Sequence, residues 1–134
     1  MNVEIFAICD AATEGAGKLN ILGAFDTLFA SQLPSKHPAC TIVARLRVEK
    51  SEEGEHAFKI AIIDQDGGAS VPPLNGKINV TLVPGFTTGT TQLIVNYQGL
   101  ELKKYGESRI DLIVDGQMKA SIPLYIRPLQ RVNK

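Results

Sequence analysis

The sequence is poor in the residues that most often carry chemistry. Its 134 residues include no tryptophan, two cysteines and two histidines. Lys and Arg number 14, and Asp and Glu also number 14, so the chain has no net field that would attract nucleic acid or anionic lipid. Aromatic residues make up only 6% of the chain, which disfavours a carbohydrate platform of exposed rings.

Long apolar runs are also absent, since no segment approaches the roughly 18 apolar residues of a membrane helix. The first ten residues have no basic leader and carry Glu4, so we expect no secretory signal and a cytoplasmic location. We expect no membrane partner and no nucleic-acid partner. Near the end of the chain, Arg127, Arg131 and Lys134 are interpreted as a solvated basic tail.

Alternation of apolar and polar residues with a period of two recurs along the whole chain, which is typical of β-strands. Many short strands separated by turn residues indicate an antiparallel β-sandwich. The sequence therefore predicts one all-β domain over residues 1–134, with eight strands at 2–10, 18–29, 39–49, 55–64, 74–83, 90–98, 107–115 and 117–127.

Three local signals refine this architecture. Asp115-Gly116 lies between two apolar runs and predicts a type I′ hairpin turn. Pro123 has no N–H for a ladder, so it predicts a sheet edge or a bulge in the last strand. Gly23 predicts a bulge where the long second strand bends or changes sheets.

The alternation also assigns a core face and an opposite face to each strand. Cys9 and Cys40 continue apolar alternations, so we expect them to be buried thiols, although a disulfide is possible if their strands are neighbours. The predicted core contains Ile5, Ala7, Cys9, Ile42, Ala44, Leu46, Phe58, Ile60, Ile62, Ile78, Val80, Leu82, Leu93, Val95, Ile110, Leu112, Val114, Ile122 and Leu124. A second set of apolar residues is predicted to point outwards as an interface, comprising Phe6, Ile8, Val43, Ile63, Ile94 and Ile113.

Two glycine-containing segments resemble ligand sites but lack required residues. The segment 14–18 has glycines before Lys18, yet the earlier glycine and the following hydroxyl of a phosphate loop are missing. The segment 64–68 has two alternate carboxylates but does not complete a calcium loop. We interpret both as turns and predict no cofactor and no metal site.

The best single candidate for a functional segment is the loop around His37. Pro34 and Pro38 bracket this histidine, so the backbone is stiffened and the side chain is presented at a defined place. His56, the other histidine, opens a predicted strand and is expected to cap its exposed end.

The chain resembles a family of small, stand-alone, uncharacterised bacterial proteins over most of its length. The segment 17–26 (GKLNILGAFD), then Pro34 and His37-Pro38, and the final hairpin at 105–116 carry this resemblance. Leu33 stands where the family has an aromatic residue, and the hairpin is more polar. The resemblance implies an immunoglobulin-like sandwich, and it supplies no activity that could be carried over.

We therefore predict a non-catalytic interaction or accessory module that contacts a protein partner or a second copy of itself. The alternative is a small-ligand or carbohydrate-binding sandwich that uses the loop around His37. A third possibility is an enzyme that combines His37 with Asp10 or Asp26, which spacing alone does not support.

Overall fold

A computed structural model describes residues 1–129 and contains two stacked β-sheets. Arg131 and Lys134 of the predicted basic tail lie outside the described residues. The all-β sandwich is confirmed, with nine strands in place of eight and a short 3₁₀ turn at Lys50–Glu52. The strands are β1 (Asn2–Gly15), β2 (Lys18–Phe25), β3 (Thr27–Ala30), β4 (Ser35–Glu49), β5 (Gly54–Ile63), β6 (Leu74–Val80), β7 (Thr88–Leu102), β8 (Gly106–Val114) and β9 (Gln117–Pro128).

One sheet has the order β2-β1-β4-β7, and the other has the order β3-β9-β8-β5-β6. The ninth strand arises because the predicted strand 18–29 divides at Asp26 and changes sheets there. Gly23 lies close to this point and has a φ of +67°, but the β1–β2 register is the same on both sides of it. The predicted change of sheets is therefore confirmed, while the predicted bulge at Gly23 was wrong.

A bulge that the sequence did not indicate lies in β1. The register against β4 shifts between Val3 and Ile5, so Glu4 is an extra residue and the alternation changes phase after it. Phe6 and Ile8 consequently face the core, with Ile8 only 1% exposed, whereas Ile5 is 36% exposed. The prediction that Phe6 and Ile8 point outwards and Ile5 inwards was wrong for this reason.

Most of the predicted core is confirmed between the two sheets. Apolar side chains from β4, β5, β8 and β9 are almost inaccessible there and form one continuous cluster. Burial of this kind stabilises the fold by roughly 25 cal/mol for each Å² of apolar surface removed from water. The cluster centres on Ile42, Leu46, Ile60, Ile110, Leu112, Val114 and Leu124.

The hairpin of β1 and β2 covers the outer face of the four-stranded sheet. Arg45 and Gln92 are direct cross-strand partners on that face, and both donate hydrogen bonds to the Gly17 carbonyl oxygen, at 3.5 and 3.4 Å. The tip of the hairpin therefore folds back over the sheet. This cover accounts for the low exposure of Thr41 (3%) and Val43 (0%), which point away from the core.

The predictions for the Asp115-Gly116 turn and for Pro123 agree with the structure. Asp115 and Gly116 have φ values of +51° and +77°, as a type I′ turn requires, and Val114 pairs with Gln117 beside them. Pro123 lies on a part of β9 that has β8 on one side only, because β3 pairs with β9 from Tyr125 onwards. The β3–β9 pair is parallel, which departs from the expected antiparallel pattern.

Both cysteines are buried free thiols, as expected. Their strands are neighbours, but Cys9 pairs with Thr41, so Cys40 points to the opposite face of the sheet. This geometry does not favour a disulfide. Burial raises the pKa of the Cys40 thiol to about 11. Within residues 1–129, no helix has the length and apolar character needed to cross a membrane.

Candidate interaction surface

His37 lies inside a strand and not in a loop. Strand β4 begins at Ser35, so His37 and Pro38 belong to it, and only Pro34 of the three predicted loop residues precedes it. The imidazole is half-buried, and its ring lies 6.1 Å from that of Phe25 at an interplanar angle of 59°. Two of the segments that carry the family resemblance therefore meet in space through a packing contact.

Among the described residues, no hydrogen bond joins His37 to Asp10 or Asp26, the candidate partners for catalysis. Asp26 accepts a hydrogen bond of 2.7 Å from the Thr27 hydroxyl. Asp10 lies beside Gly23, and its carboxylate occupies the space that a Cβ on Gly23 would take. The contact that the structure gives to His37 is the Phe25 ring, which is a role in packing.

The six residues of the predicted outer-face interface do not form one surface. Phe6 and Ile8 are core residues, as described above, and Val43 is covered. Ile94 is half-buried on the outer side of the four-stranded sheet, whereas Ile63 and Ile113 belong to the five-stranded sheet. The prediction of a single apolar face was therefore wrong, because alternation within a strand does not tell which sheet the strand joins.

His56 forms a polar cluster at one end of the sandwich. Its Nδ1 lies 2.6 Å from an Asp115 carboxylate oxygen, and its Nε2 lies 2.6 Å from the Glu52 carbonyl oxygen. Asp115 also accepts the Ala57 N–H. Hydrogen bonding to Asp115, then to Glu52, raises the pKa of His56, and His56 in turn lowers the pKa of Asp115. The cluster ties the 3₁₀ turn to the β8–β9 turn, as the expected capping role requires.

We expect a His56→Gln variant to lose stability mainly in mildly acidic solution. Because the folded-state pKa of His56 is raised above 6.5, its contribution is complete below that value and is lost as the pH rises through the folded pKa. Asp115 has a lowered pKa, so its contribution is lost only as the pH falls below its ordinary value of 3.8. Chemical denaturation at about pH 5.5 and about pH 8.5 checks this prediction. An equal loss of unfolding free energy at both pH values would show that protonation of His56 does not stabilise the fold.

The carboxylates at the β5–β6 connection stabilise a turn. One oxygen of Asp64 accepts the N–H groups of Asp66 and Gly68, at 2.9 and 3.0 Å. Asp66 accepts a hydrogen bond of 2.9 Å from Lys104. These bonds explain why the sequence places two carboxylates here, in agreement with the interpretation of this segment as a turn.

The free edge of β7 lacks the features that usually protect the edge strand of a β-sandwich from pairing with another strand. β7 is 15 residues long, whereas the other edge strands β2, β3 and β6 have eight, four and seven residues. From Thr88 to Leu100 it contains neither a charged residue nor a proline. Its register against β4 has no shift, so no bulge twists the edge away. Natural sandwiches normally protect long edges with charges, prolines or bulges.

The inward side of β7 is incompletely covered. Leu93, Val95 and Tyr97 pack against the core but remain half-buried, whereas their β4 partners Ala44, Ile42 and Cys40 are each 1% exposed. Burial nevertheless raises the pKa of the Tyr97 phenol. The core is thus open along this edge, because no described strand lies beyond β7.

Exposed apolar side chains continue this edge at its N-terminal end. Val83 and Phe86 are 64% and 61% exposed and border an open groove of about 500 Å³, which Thr88 and Thr90 also line. Two guanidinium groups lie in the same groove, but Glu4 bonds both Arg45 and Arg47 at 3.0 Å. The groove therefore combines an exposed apolar rim, which continues the β7 edge, with two arginines that share one carboxylate.

Sequence reasoning missed this surface although one signal was present. The run from Thr88 to Leu100 is uncharged and lacks proline, which is unusual for a strand with a free edge. The position of β7 at the edge of its sheet could not be predicted from the sequence, because it depends on which strands pair.

Comparisons with known proteins found a matching family and a similar solved structure. The profile of DUF6941, described as a family of unknown function, matches residues 4–127. A crystal structure of an immunoglobulin-like protein from Pseudomonas aeruginosa is similar at 15% identity, with coverage of 94% of this chain and 95% of that chain and a TM-score of 0.37. No curated protein matches the chain.

Proposed function

Since this chain belongs to DUF6941, a family of unknown function, we propose from its own geometry that it is a non-catalytic interaction module that binds an extended protein segment along β7. The observation that carries this proposal is the long, uncharged and bulge-free edge. A strand added there would bond the free N–H and C=O groups of β7 and would cover Leu93, Val95 and Tyr97.

The chemistry of the other candidate clusters supports a module without catalysis. His37 packs on Phe25, and His56 is engaged with Asp115 and with a backbone carbonyl. A cytoplasmic location is part of the proposal, because two buried free thiols on opposite faces of a sheet suit a reducing compartment.

Selected extended peptides provide a direct test of strand addition at β7. Peptides from a display library that bind the chain should perturb the backbone amides of Thr88–Leu102 in an NMR titration. N-methylation of alternate peptide amides distinguishes the two sides of a strand, because only one side bonds β7. We expect one methylated series to lose at least about tenfold in affinity and the other to bind normally.

The proposal has a matched control in the edge strand of the other sheet. Peptides should leave the amides of β6 (Leu74–Val80) unperturbed, since β6 is shorter and carries Lys77. Binding that maps to β6, or equal tolerance of both methylated series, would exclude strand addition at β7.

A further inference from the structure

We infer that the segment seated on β7 is β7 of a second copy, antiparallel and centred on Ile94, so that two four-stranded sheets join into one of eight. This inference rests on the proposed function and names its partner. A twofold axis requires the same edge on both copies, and the long uncharged run around Ile94 gives that edge.

The sequence of β7 is self-complementary about Ile94. In this register Leu93 faces Val95 of the second copy, which sets apolar against apolar on the inner side. Gln92 faces Asn96 of the second copy on the outer side, which sets amide against amide. Gly89 and Gly99 are also equidistant from the centre, so glycine faces glycine.

The outer amide pair has complementary hydrogen-bonding capacity. Gln92 Oε1 is buried and has no hydrogen-bond partner among the described residues. Asn96 accepts the Thr41 hydroxyl through Oδ1 at 2.8 Å, which directs its Nδ2 donor elsewhere. Directly opposed residues lie close together, so a rotation of the Gln92 amide that exposes Oε1 would allow a bond from Asn96 Nδ2 of the other copy, and the twofold axis makes this bond twice.

Electrostatics does not oppose a second copy. The chain has equal numbers of basic and acidic residues, so two copies do not repel each other at long range. Charged residues appear on β7 only at Glu101, beyond the paired region. The half-buried Leu93, Val95 and Tyr97 of both copies would be covered together at the joined edge.

A charge-swap experiment tests both the edge and its centre. Wild-type protein should sediment as a dimer, while Ile94→Lys and Ile94→Glu should each be folded monomers, with dissociation constants raised at least about 100-fold by opposed like charges. An equimolar mixture of the two variants should restore a dimer. Asn79→Lys adds the same charge to exposed β6 and should leave the dimer intact.

A conservative variant covers the case in which the charged variants fail to fold. Ile94→Cys keeps a small apolar side chain at the twofold centre, and a short bismaleimide should link two such copies. Gln98→Cys, which would face Thr90 of the second copy, should link far less. Cys9 and Cys40 are buried and serve as an internal background.

The outcomes separate this inference from the proposed function. A wild-type monomer up to submillimolar concentration overturns self-pairing, and peptides that still bind β7 would then leave the proposed function standing. A dimer that persists in Ile94→Lys, or that Asn79→Lys dissociates, overturns pairing through β7. Efficient linking at Gln98→Cys in place of Ile94→Cys overturns the register.

Discussion

Replacement of Ile8 by alanine should lower the free energy of unfolding by about 3 kcal/mol. Ile8 is 1% exposed and belongs to the continuous core. It does so because the extra residue Glu4 reverses which side chains of β1 face the core after the bulge. Deletion of three carbons there removes packing contacts and leaves a cavity in a rigid two-layer core. Urea denaturation of the variant, with comparison of midpoint and slope, measures the loss.

Ile5 is the matched control for this prediction, since the same side chain lies three residues earlier on the other side of the strand. It is 36% exposed, so Ile5→Ala should cost about 1 kcal/mol or less. A strand with unbroken alternation from Val3 would keep Ile5 inwards and Ile8 outwards. A larger loss at Ile5 than at Ile8 would therefore contradict the bulge.

A Gly76→Ala variant should also be destabilised, by about 2 kcal/mol, although alanine usually suits a strand better than glycine. Gly76 pairs directly with Phe58 across β5 and β6, and the aromatic ring lies over the glycine. An added Cβ would come within 2.5 Å of both Cε1 and Cζ of Phe58. The ring must then leave its place in the core cluster, where only 9% of the residue is exposed.

A double-mutant cycle with Phe58→Leu identifies the cause of that loss. Leucine lacks the two ring atoms that the new methyl group would meet, so Gly76→Ala should be nearly neutral in the Phe58→Leu background. We expect a coupling energy of at least about 1 kcal/mol from thermal or urea unfolding. Additive effects of the two substitutions would show that the clash with the ring is not responsible.

The sequence predicted the class of fold because its signals are local. Alternation identifies strands wherever one face is buried, and the Asp115-Gly116 pair suits only a turn with two positive φ values. Most of the core follows from the same pattern, as Ile42, Ile60 and Ile110 illustrate.

The errors in assigning side chains to faces and segments share one physical origin. The alternation of residues along one strand does not show which distant strands will pair with it. The bulge at Glu4 exists because β1 pairs with β4, and it reverses the faces of Phe6 and Ile8. Val43 points outwards, as predicted, but it lies under the folded-back hairpin, whose tip is fixed by a hydrogen bond from Arg45 to the Gly17 carbonyl. His37 was assigned to a loop because the prolines on either side of it are poor strand residues, yet β4 includes Pro38.

The candidate surface depends on the same missing information. The uncharged run of β7 is legible in the sequence, but it becomes meaningful only when the strand order leaves one of its sides unpaired. Had β7 been an inner strand, the same run would be ordinary core sequence.

Amide hydrogen exchange of wild-type protein over a range of concentrations tests the free edge of β7 most directly. The amides between Thr90 and Gln98 that point away from β4 should exchange rapidly in dilute solution and become protected as the protein concentration rises. The amides of β6 that point away from β5 should continue to exchange rapidly. Rapid exchange of these β7 amides at every concentration, and with saturating peptide, would contradict an interaction surface at this edge.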